Sequence, residues 1–217
     1  MKKAVICFTR VPRPGVTKTR LLPILRPDQC AGLHWAFLKD LAEVYRQIDA
    51  DLFVAYTEDP DWTRLKTVFP MAAGFFPQEG ADLGAKMDHA IRRVLSLGYG
   101  QVVLTGADLP LMTPAHLERG FAVLEQADLA IGPTSDGGYY LVGTKRACPE
   151  IFTNQSYGGV TVFENTCAAA KRAGYIITAA LPCDDVDTPE DLRGLAVSAT
   201  GHTGRYLQLL RKEGIDL

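Results

Sequence analysis

The segment over residues 101–110, QVVLTGADLP, constrains the fold most, because a short apolar run ends at a carboxylate in a turn. Its apolar part, residues 102–104, is typical of a strand that is buried on both faces, as in the parallel sheets of α/β proteins. Gly106 permits a sharp turn, which places Asp108 beyond the carboxyl end of the strand. Ligands of open α/β sheets bind at that edge. Asp108 is therefore a candidate ligand of a divalent cation, and the alternative is a carboxylate that only hydrogen-bonds its own turn.

Strand and helix patterns alternate along the whole chain. This alternation predicts an α/β fold, a three-layer sandwich with helices on both faces of a mostly parallel sheet. The strands on either side of the turn at 132–138 are expected to pair like a hairpin, which makes the sheet mixed. We find no linker or repeat, so residues 1–217 are expected to form a single domain. The predicted strands cover residues 3–9, 52–56, 74–76, 102–104, 129–131, 139–143 and 175–178, and the main predicted helices cover 27–48, 82–96, 113–126 and 160–173, with a peripheral one at 205–212.

The composition argues against several classes of protein. A formal net charge of -2 gives no general attraction to nucleic acid or to an acidic membrane, so any phosphate binding depends on a local cluster of basic groups. The apolar runs are too short to span a bilayer, and the five scattered cysteines form no C-x-x-C pair. We therefore expect a cytoplasmic protein without a nucleic-acid or membrane partner. The four histidines show no ligand spacing and are expected to be structural or solvated.

Positive charge is concentrated in the loop that follows the first predicted strand. This loop carries Arg10, Gly15, Lys18 and Arg20. It is not a Walker phosphate loop, because that motif needs glycine directly before the lysine, where this chain has Thr17. Its cations and the backbone amides freed by Gly15 can still bind phosphate. The alternative is a stiff, solvated surface loop.

An acidic turn precedes the helix that begins near Pro189. Asp185 and Asp187 lie just before Thr188, a residue of the type that caps helices. One interpretation is that these aspartates only complement the helix dipole. The other is that Asp187 contacts a metal, since Thr188 already supplies the cap. The sequence leaves open whether Asp185 or Asp187 does so.

The three loops follow strands, so mostly parallel strands would bring them to one edge of the sheet. Lys18 and Arg20 would then lie near Asp108 and Asp187, a set that suits a nucleotide diphosphate with Mg²⁺ or Mn²⁺. A fourth segment, the turn with Asp136 and Gly137 before Tyr139, is a candidate acceptor side of the site; the alternative is that its residues serve only the turn.

Four motifs in order resemble a known family. They are FTRVPRPGVTKTRL at residues 8–21, GADLP at 106–110, GPTSDGGYYL at 132–141 and DVDTPEDL at 185–192. Together they resemble the glycosyltransferase-A-like (DUF2064-type) family of bacterial proteins, within the nucleotide-diphospho-sugar transferase superfamily. Phospholactate guanylyltransferase and the molybdenum-cofactor nucleotidyltransferases belong to the same superfamily and share the Lys-Thr-Arg-Leu and Asp-Val-Asp-Thr-Pro character.

The resemblance implies a Rossmann-like fold that binds a nucleotide over its N-terminal half. It implies that Lys18 and Arg20 contact phosphates, that Asp108 holds the metal, and that Asp187 is a second carboxylate of the site. Relatives commonly have arginine at Lys86 and tryptophan near Tyr157, so this chain departs from the family at both places. The full set of expected nucleotide-binding residues is Arg10, Gly15, Lys18, Arg20, Gln78, Gly84 and Lys86.

The leading hypothesis is a metal-dependent transferase that uses a nucleotide-diphospho-sugar as donor and an unidentified small molecule as acceptor. The alternative is a nucleotidyltransferase, guanylyl or cytidylyl, that releases pyrophosphate. A second alternative is a nucleotide-binding protein without catalytic activity. The same diphosphate clamp serves both reactions, so the motifs alone do not choose between them.

Overall fold

A computed structural model describes all of residues 1–217, and every strand belongs to one seven-stranded sheet. The order across the sheet is β3-β2-β1-β4-β6-β5-β7. Neighbouring strands are parallel except where β6 runs antiparallel to β4 and β5. The predicted mixed, mostly parallel sheet is thus confirmed. The strands are β1 (Lys3–Thr9), β2 (Asp51–Tyr56), β3 (Gly74–Pro77), β4 (Gln101–Thr105), β5 (Leu129–Pro133), β6 (Tyr139–Thr144) and β7 (Ile177–Ala179).

Seven α-helices accompany the sheet. None of them has the length and the apolar character that crossing a bilayer requires. Two short 3₁₀ turns add to them, one at Thr19–Leu21 in the basic loop and one at Pro149–Ile151. The helices are α1 (Pro27–Tyr45), α2 (Arg64–Val68), α3 (Leu83–Ser96), α4 (Pro114–Gln126), α5 (Val162–Arg172), α6 (Pro189–Ser198) and α7 (Gly201–Lys212).

The central strand β1 shows why the fold has three layers. Val5 and Cys7 point to one face, where they join an apolar cluster with side chains of α1, α2 and α4. Ala4 and Ile6 point to the other face, where their cluster includes side chains of α3 and α5. Because successive side chains of a strand alternate between faces, an apolar run of this kind needs a cover on both sides. The predicted three-layer α/β sandwich is confirmed.

The C-terminal helix α7 is less peripheral than its sequence suggests. Leu207 and Leu210 are buried in a third apolar cluster, against Leu33 and Phe37 of α1 and Leu195 of α6. Helix α1 is therefore apolar on two faces, one toward the sheet and one toward α6 and α7. This is why buried residues are so frequent along α1.

Candidate functional site

Lys18 joins three segments at the carboxyl edge of the sheet. Its Nζ lies 2.6 Å from Asp108 Oδ1 and 2.8 Å from Asp187 Oδ1, and it donates to the Val186 carbonyl at 2.6 Å. The loop after β1, the turn after β4 and the segment before α6 thus meet at one edge of the sheet. Their positions after strands had predicted this meeting. Val186 N donates to the Asp108 carbonyl at 3.0 Å, which holds the two acidic segments together.

The local backbone explains how a lysine comes to be buried here. Lys18 has a left-handed conformation, with φ of 54°, and directs a side chain of only 2% exposure into the rim. Thr17 Oγ1 accepts from Arg13 N at 2.9 Å, which tightens the loop before it. Three oxygens surround the ammonium, as many as it has N–H groups. In this arrangement Lys18 holds two carboxylates together, and two of its N–H groups donate to protein oxygens, the Val186 carbonyl and Asp187 Oδ1.

Asp108 and Asp187 remain accessible from the cleft although they pair with a buried lysine. Their side chains are 39% and 34% exposed. Burial raises the pKa of Asp108, but the charges of Lys18 and its neighbours outweigh burial, and the net pKa lies below the ordinary value. Asp108 is therefore ionised at neutral pH. Arg20, with a side chain 71% exposed, lies 3.5 Å from Asp187 Oδ2 and adds an exposed cation at the rim.

The residues at this rim fit a hard divalent cation that also has ligands from a substrate. Asp108 and Asp187 supply carboxylate oxygens, and no group of three or more candidate ligand side chains exists in the protein. Mg²⁺ commonly binds through one or two carboxylates and completes its shell with water and substrate phosphates. Two partly exposed carboxylates beside a basic loop match this pattern of Mg²⁺ binding. They do not resemble a structural metal site, in which protein side chains supply all the ligands.

His34 is a residue of this rim that the sequence did not indicate. It lies on α1, is 3% exposed, and its Nε2 is 3.6 Å from Asp108 Oδ1. Burial lowers the pKa of the His34 imidazole to about 4, so the ring is neutral at physiological pH. The helical pattern of α1 gave no signal, because a histidine at a buried helix position is indistinguishable in sequence from one that only fills the core.

Two cavities meet at the rim. A recess of about 170 Å³ lies against the basic loop and is lined by Arg10, Val16, Thr17, Lys18, Thr19, Arg20, His34, Asp108 and Asp187. The backbone amides of Thr19 and Arg20, two residues that line this recess, donate no hydrogen bond to the backbone. A cleft of about 350 Å³ continues on the other side of Asp108 and Asp187, and its walls include Phe8, Leu83, Met87, Asp136, Tyr139, Tyr157, Val162 and Asp185.

The predicted acceptor segment lines the far wall of the cleft. Asp136 Oδ1 accepts from Thr134 Oγ1 at 2.5 Å and from Gly138 N at 3.0 Å, so one oxygen stabilises its own turn. Gly137 has φ of 87° and fits closely against the backbone of Val160. Asp136 thus stabilises its own turn and also borders the cleft. Both a turn-forming role and an acceptor-side role therefore have a basis in the structure.

Two tyrosines and one aspartate give the cleft its polar groups. The hydroxyls of Tyr139 and Tyr157 lie 3.5 Å apart, and burial raises the pKa of Tyr139 well above its ordinary value. The pKa of Asp185 is raised to about 6, chiefly by burial and also by the charges of Asp187 and Asp136. Both tyrosine hydroxyls are therefore neutral hydrogen-bonding groups at physiological pH.

Some predicted nucleotide-binding residues lie away from the two cavities. Gln78 uses its side-chain amide to bond the carbonyls of Thr9 and Ala55, at 2.8 and 3.1 Å, and so ties together the ends of three strands. Gly84 packs closely under Tyr157, whose hydroxyl would lie 2.8 Å from an added Cβ. Gln78, Gly84, Lys86 and Gly15 line neither cavity, whereas Arg10 lines the recess. Gly137, which was predicted for the acceptor side, also lines neither.

Comparison with known proteins agrees with this architecture. A crystal structure from Desulfovibrio desulfuricans G20, of a protein assigned to the nucleotide-diphospho-sugar transferases, is 31% identical with a TM-score of 0.88, over 99% of this chain and 96% of that one. The 2-phospho-L-lactate guanylyltransferase of Methanothermobacter thermautotrophicus is 26% identical over 199 residues, 89% of this chain and 85% of the relative. The phosphoenolpyruvate guanylyltransferase of Rubrobacter xylanophilus is 29% identical over 187 residues, 83% of this chain and 88% of the relative.

The fold and these relatives define a transferase of the nucleotide-using class, with the nucleotide-diphospho-sugar transferase fold. Residues 40–159 match the model of the family described as "Uncharacterized protein conserved in bacteria (DUF2064)". The chain belongs to the DUF2064 family, and the resemblance seen in its motifs is confirmed.

Proposed function

We propose that this protein transfers the sugar of a nucleotide-diphospho-sugar to a small-molecule acceptor, with Mg²⁺ or Mn²⁺ as cofactor. The observation that carries the proposal is the convergence of Asp108, Asp187, Lys18 and Arg20 on one rim, between a basic recess and a partly apolar cleft. The assigned activity of the Desulfovibrio desulfuricans protein supports this choice of donor.

The basic recess is the proposed place for the donor's diphosphate. Arg10 and Arg20 supply charge there, and the free amides of Thr19 and Arg20 are suited to phosphate oxygens. Asp108 and Asp187 would hold the metal, which when bound stabilises negative charge on the departing nucleotide. Lys18 keeps these two carboxylates side by side at a fixed spacing, and so prepares them for the cation before substrate arrives.

The cleft beyond the carboxylates is the proposed place for the sugar and the acceptor. Its apolar wall, with Leu83, Met87 and Val162, excludes water from that space, and the Tyr139 and Tyr157 hydroxyls offer neutral hydrogen bonds. Asp136 borders the same space and keeps Oδ2 free of the two bonds that hold its turn. An acceptor hydroxyl can therefore approach the sugar from the side opposite the basic recess.

Nucleotidyl transfer is the second candidate, and the two relatives named as guanylyltransferases favour it. In that reaction a substrate phosphate attacks the α-phosphate of a nucleoside triphosphate, and pyrophosphate leaves. Asp108, Asp187, Lys18 and Arg20 would serve both reactions, because in each the leaving group is a diphosphate whose developing negative charge a metal and cations would stabilise.

Product analysis separates the two candidates. The purified protein is incubated with Mn²⁺ and either a panel of nucleotide-diphospho-sugars or GTP and CTP, together with a mixture of hydroxyl and phosphate acceptors. We expect release of nucleoside diphosphate from a nucleotide-sugar, dependent on acceptor. Pyrophosphate release from GTP or CTP would favour the second candidate instead.

Two variants show whether any product depends on this rim. Asp108→Asn removes a charge at the proposed metal site, whereas Asp49→Asn removes an exposed one just before β2, at the opposite edge of the sheet. Product formation is expected to be lost in the first and kept in the second. Tight nucleotide binding without either product would indicate a binding protein and contradict both candidates.

A further inference from the structure

His34 is a buried polar side chain without a partner. Neither of its ring nitrogens has a hydrogen bond, and its side chain is 3% exposed. Unpaired buried polar groups are destabilising and rare, so one beside a candidate active site indicates a group that finds its partner in another state of the site. The nearest candidate is Asp108 Oδ1, 3.6 Å from His34 Nε2, which itself accepts no well-aligned hydrogen bond.

The position of Lys18 explains why His34 and Asp108 are not hydrogen-bonded to each other. The ammonium donates to the Val186 carbonyl and to Asp187 Oδ1, and it lies 2.6 Å from Asp108 Oδ1 without an aligned hydrogen bond. A phosphate in the adjoining recess that attracts Lys18 would draw it away from one of these oxygens. Asp108 Oδ1, which has no well-aligned bond to lose, is the one released most easily.

We propose that His34 is a positioning residue for Asp108: when a donor phosphate draws Lys18 away, a ring N–H of His34 takes Asp108 Oδ1 as its acceptor and keeps the carboxylate directed at the cation site. The inference rests on the proposed function, since it requires a phosphate in the recess. An imidazole suits this role because either ring nitrogen can carry the N–H that donates to a carboxylate oxygen. The 3.6 Å separation is short enough for a side-chain rotation to close.

The test compares variants that keep or remove the donor. His34→Gln retains a side-chain N–H and His34→Leu has none, with His34→Met as a second apolar variant should the leucine variant not fold. His202→Leu, in the groove between α1 and α7, is the matched control. Dissociation constants for GDP and UDP are measured by calorimetry, once with Mg²⁺ and once with EDTA, and the midpoint of thermal unfolding is recorded for each protein.

We expect His34→Leu to weaken nucleotide binding about tenfold in Mg²⁺, the range found for residues that orient metal ligands, and to leave binding in EDTA unchanged. His34→Gln and His202→Leu should stay close to wild type. The thermal midpoint of His34→Leu should equal or exceed that of wild type, because an apolar side chain replaces an unpaired polar one.

Binding of His34→Leu that equals wild type in Mg²⁺, or that weakens alike in Mg²⁺ and EDTA, would overturn the positioning role. Wild-type protein that binds neither these two nucleotides nor CDP or ADP in Mg²⁺ would instead overturn the proposed function, and the inference with it.

Discussion

Replacement of Lys18 by methionine tests how the rim is held together. Methionine has a similar length but no charge, so Asp108 and Asp187 would keep their negative charges side by side without a cation. Breaking a buried ion pair costs about 3–5 kcal/mol. Both carboxylates are more than a third exposed, which allows water to compensate in part. We therefore expect Lys18→Met to lower the free energy of unfolding at pH 7 by about 2–4 kcal/mol.

The loss of stability in Lys18→Met should depend on pH. The pKa of Asp108 in the folded protein is below its ordinary value, and the unfolded value is about 3.9. The pairing with Lys18 therefore stabilises the fold above about pH 4 and is lost as the pH falls through the folded pKa. The difference between wild type and Lys18→Met should be largest near neutral pH and smaller at about pH 3, below the unfolded pKa.

Urea unfolding, followed by tryptophan fluorescence at pH 7 and pH 3, measures this difference. With a typical denaturant dependence for urea, the expected shift of the midpoint at pH 7 is about 1–2 M. Arg20→Met is the control, because an exposed ion pair contributes no more than about 1 kcal/mol. A Lys18→Met protein as stable as wild type, or one with the same loss at both pH values, would refute the reasoning.

Two further substitutions test the turns that frame the site, both by urea unfolding. Gly137→Ala should lower stability by about 2–3 kcal/mol, because φ is positive and the added Cβ overlaps the Val160 backbone. The control Gly174→Ala, where φ is positive but the added Cβ meets no atom, should cost only about 1 kcal/mol. Equal losses in the two variants would contradict the close packing of Gly137 against Val160. Asp191→Ala should cost about 1 kcal/mol above pH 4, since the lost carboxylate accepts from Thr188 N at 2.7 Å; no change would mean that the cap contributes nothing.

The meeting of distant loops was predictable because it depends on strand order alone. Residues 102–104 are apolar at every position, so their strand had to be buried on both faces, and the loops after parallel strands share an edge. Asp108 and Lys18 could therefore be placed together although 90 residues separate them. The capping signal at Thr188 likewise located the start of α6 and, with it, Asp187.

The state of each side chain was not predictable, because it depends on contacts that the local sequence does not encode. The contact of Lys18 with phosphate stays a prediction, whereas its hydrogen bond to the carbonyl of Val186, 168 residues away, could not be predicted. The place of Gln78 near the nucleotide likewise stays a prediction, and the bonds of its amide to two strand carbonyls were not foreseen. His34 gave no signal because only the packed structure shows that it lacks a partner.

Binding of Mn²⁺, followed by electron paramagnetic resonance, tests the central claim most directly. Two carboxylates alone hold the cation weakly, so wild-type protein should bind Mn²⁺ tightly only when GDP or UDP is present. Asp108→Asn should weaken this ternary complex at least about tenfold, whereas Asp49→Asn should not. Equal binding of Mn²⁺ and nucleotide by Asp108→Asn and wild type would contradict the assignment of a nucleotide-metal site to this rim.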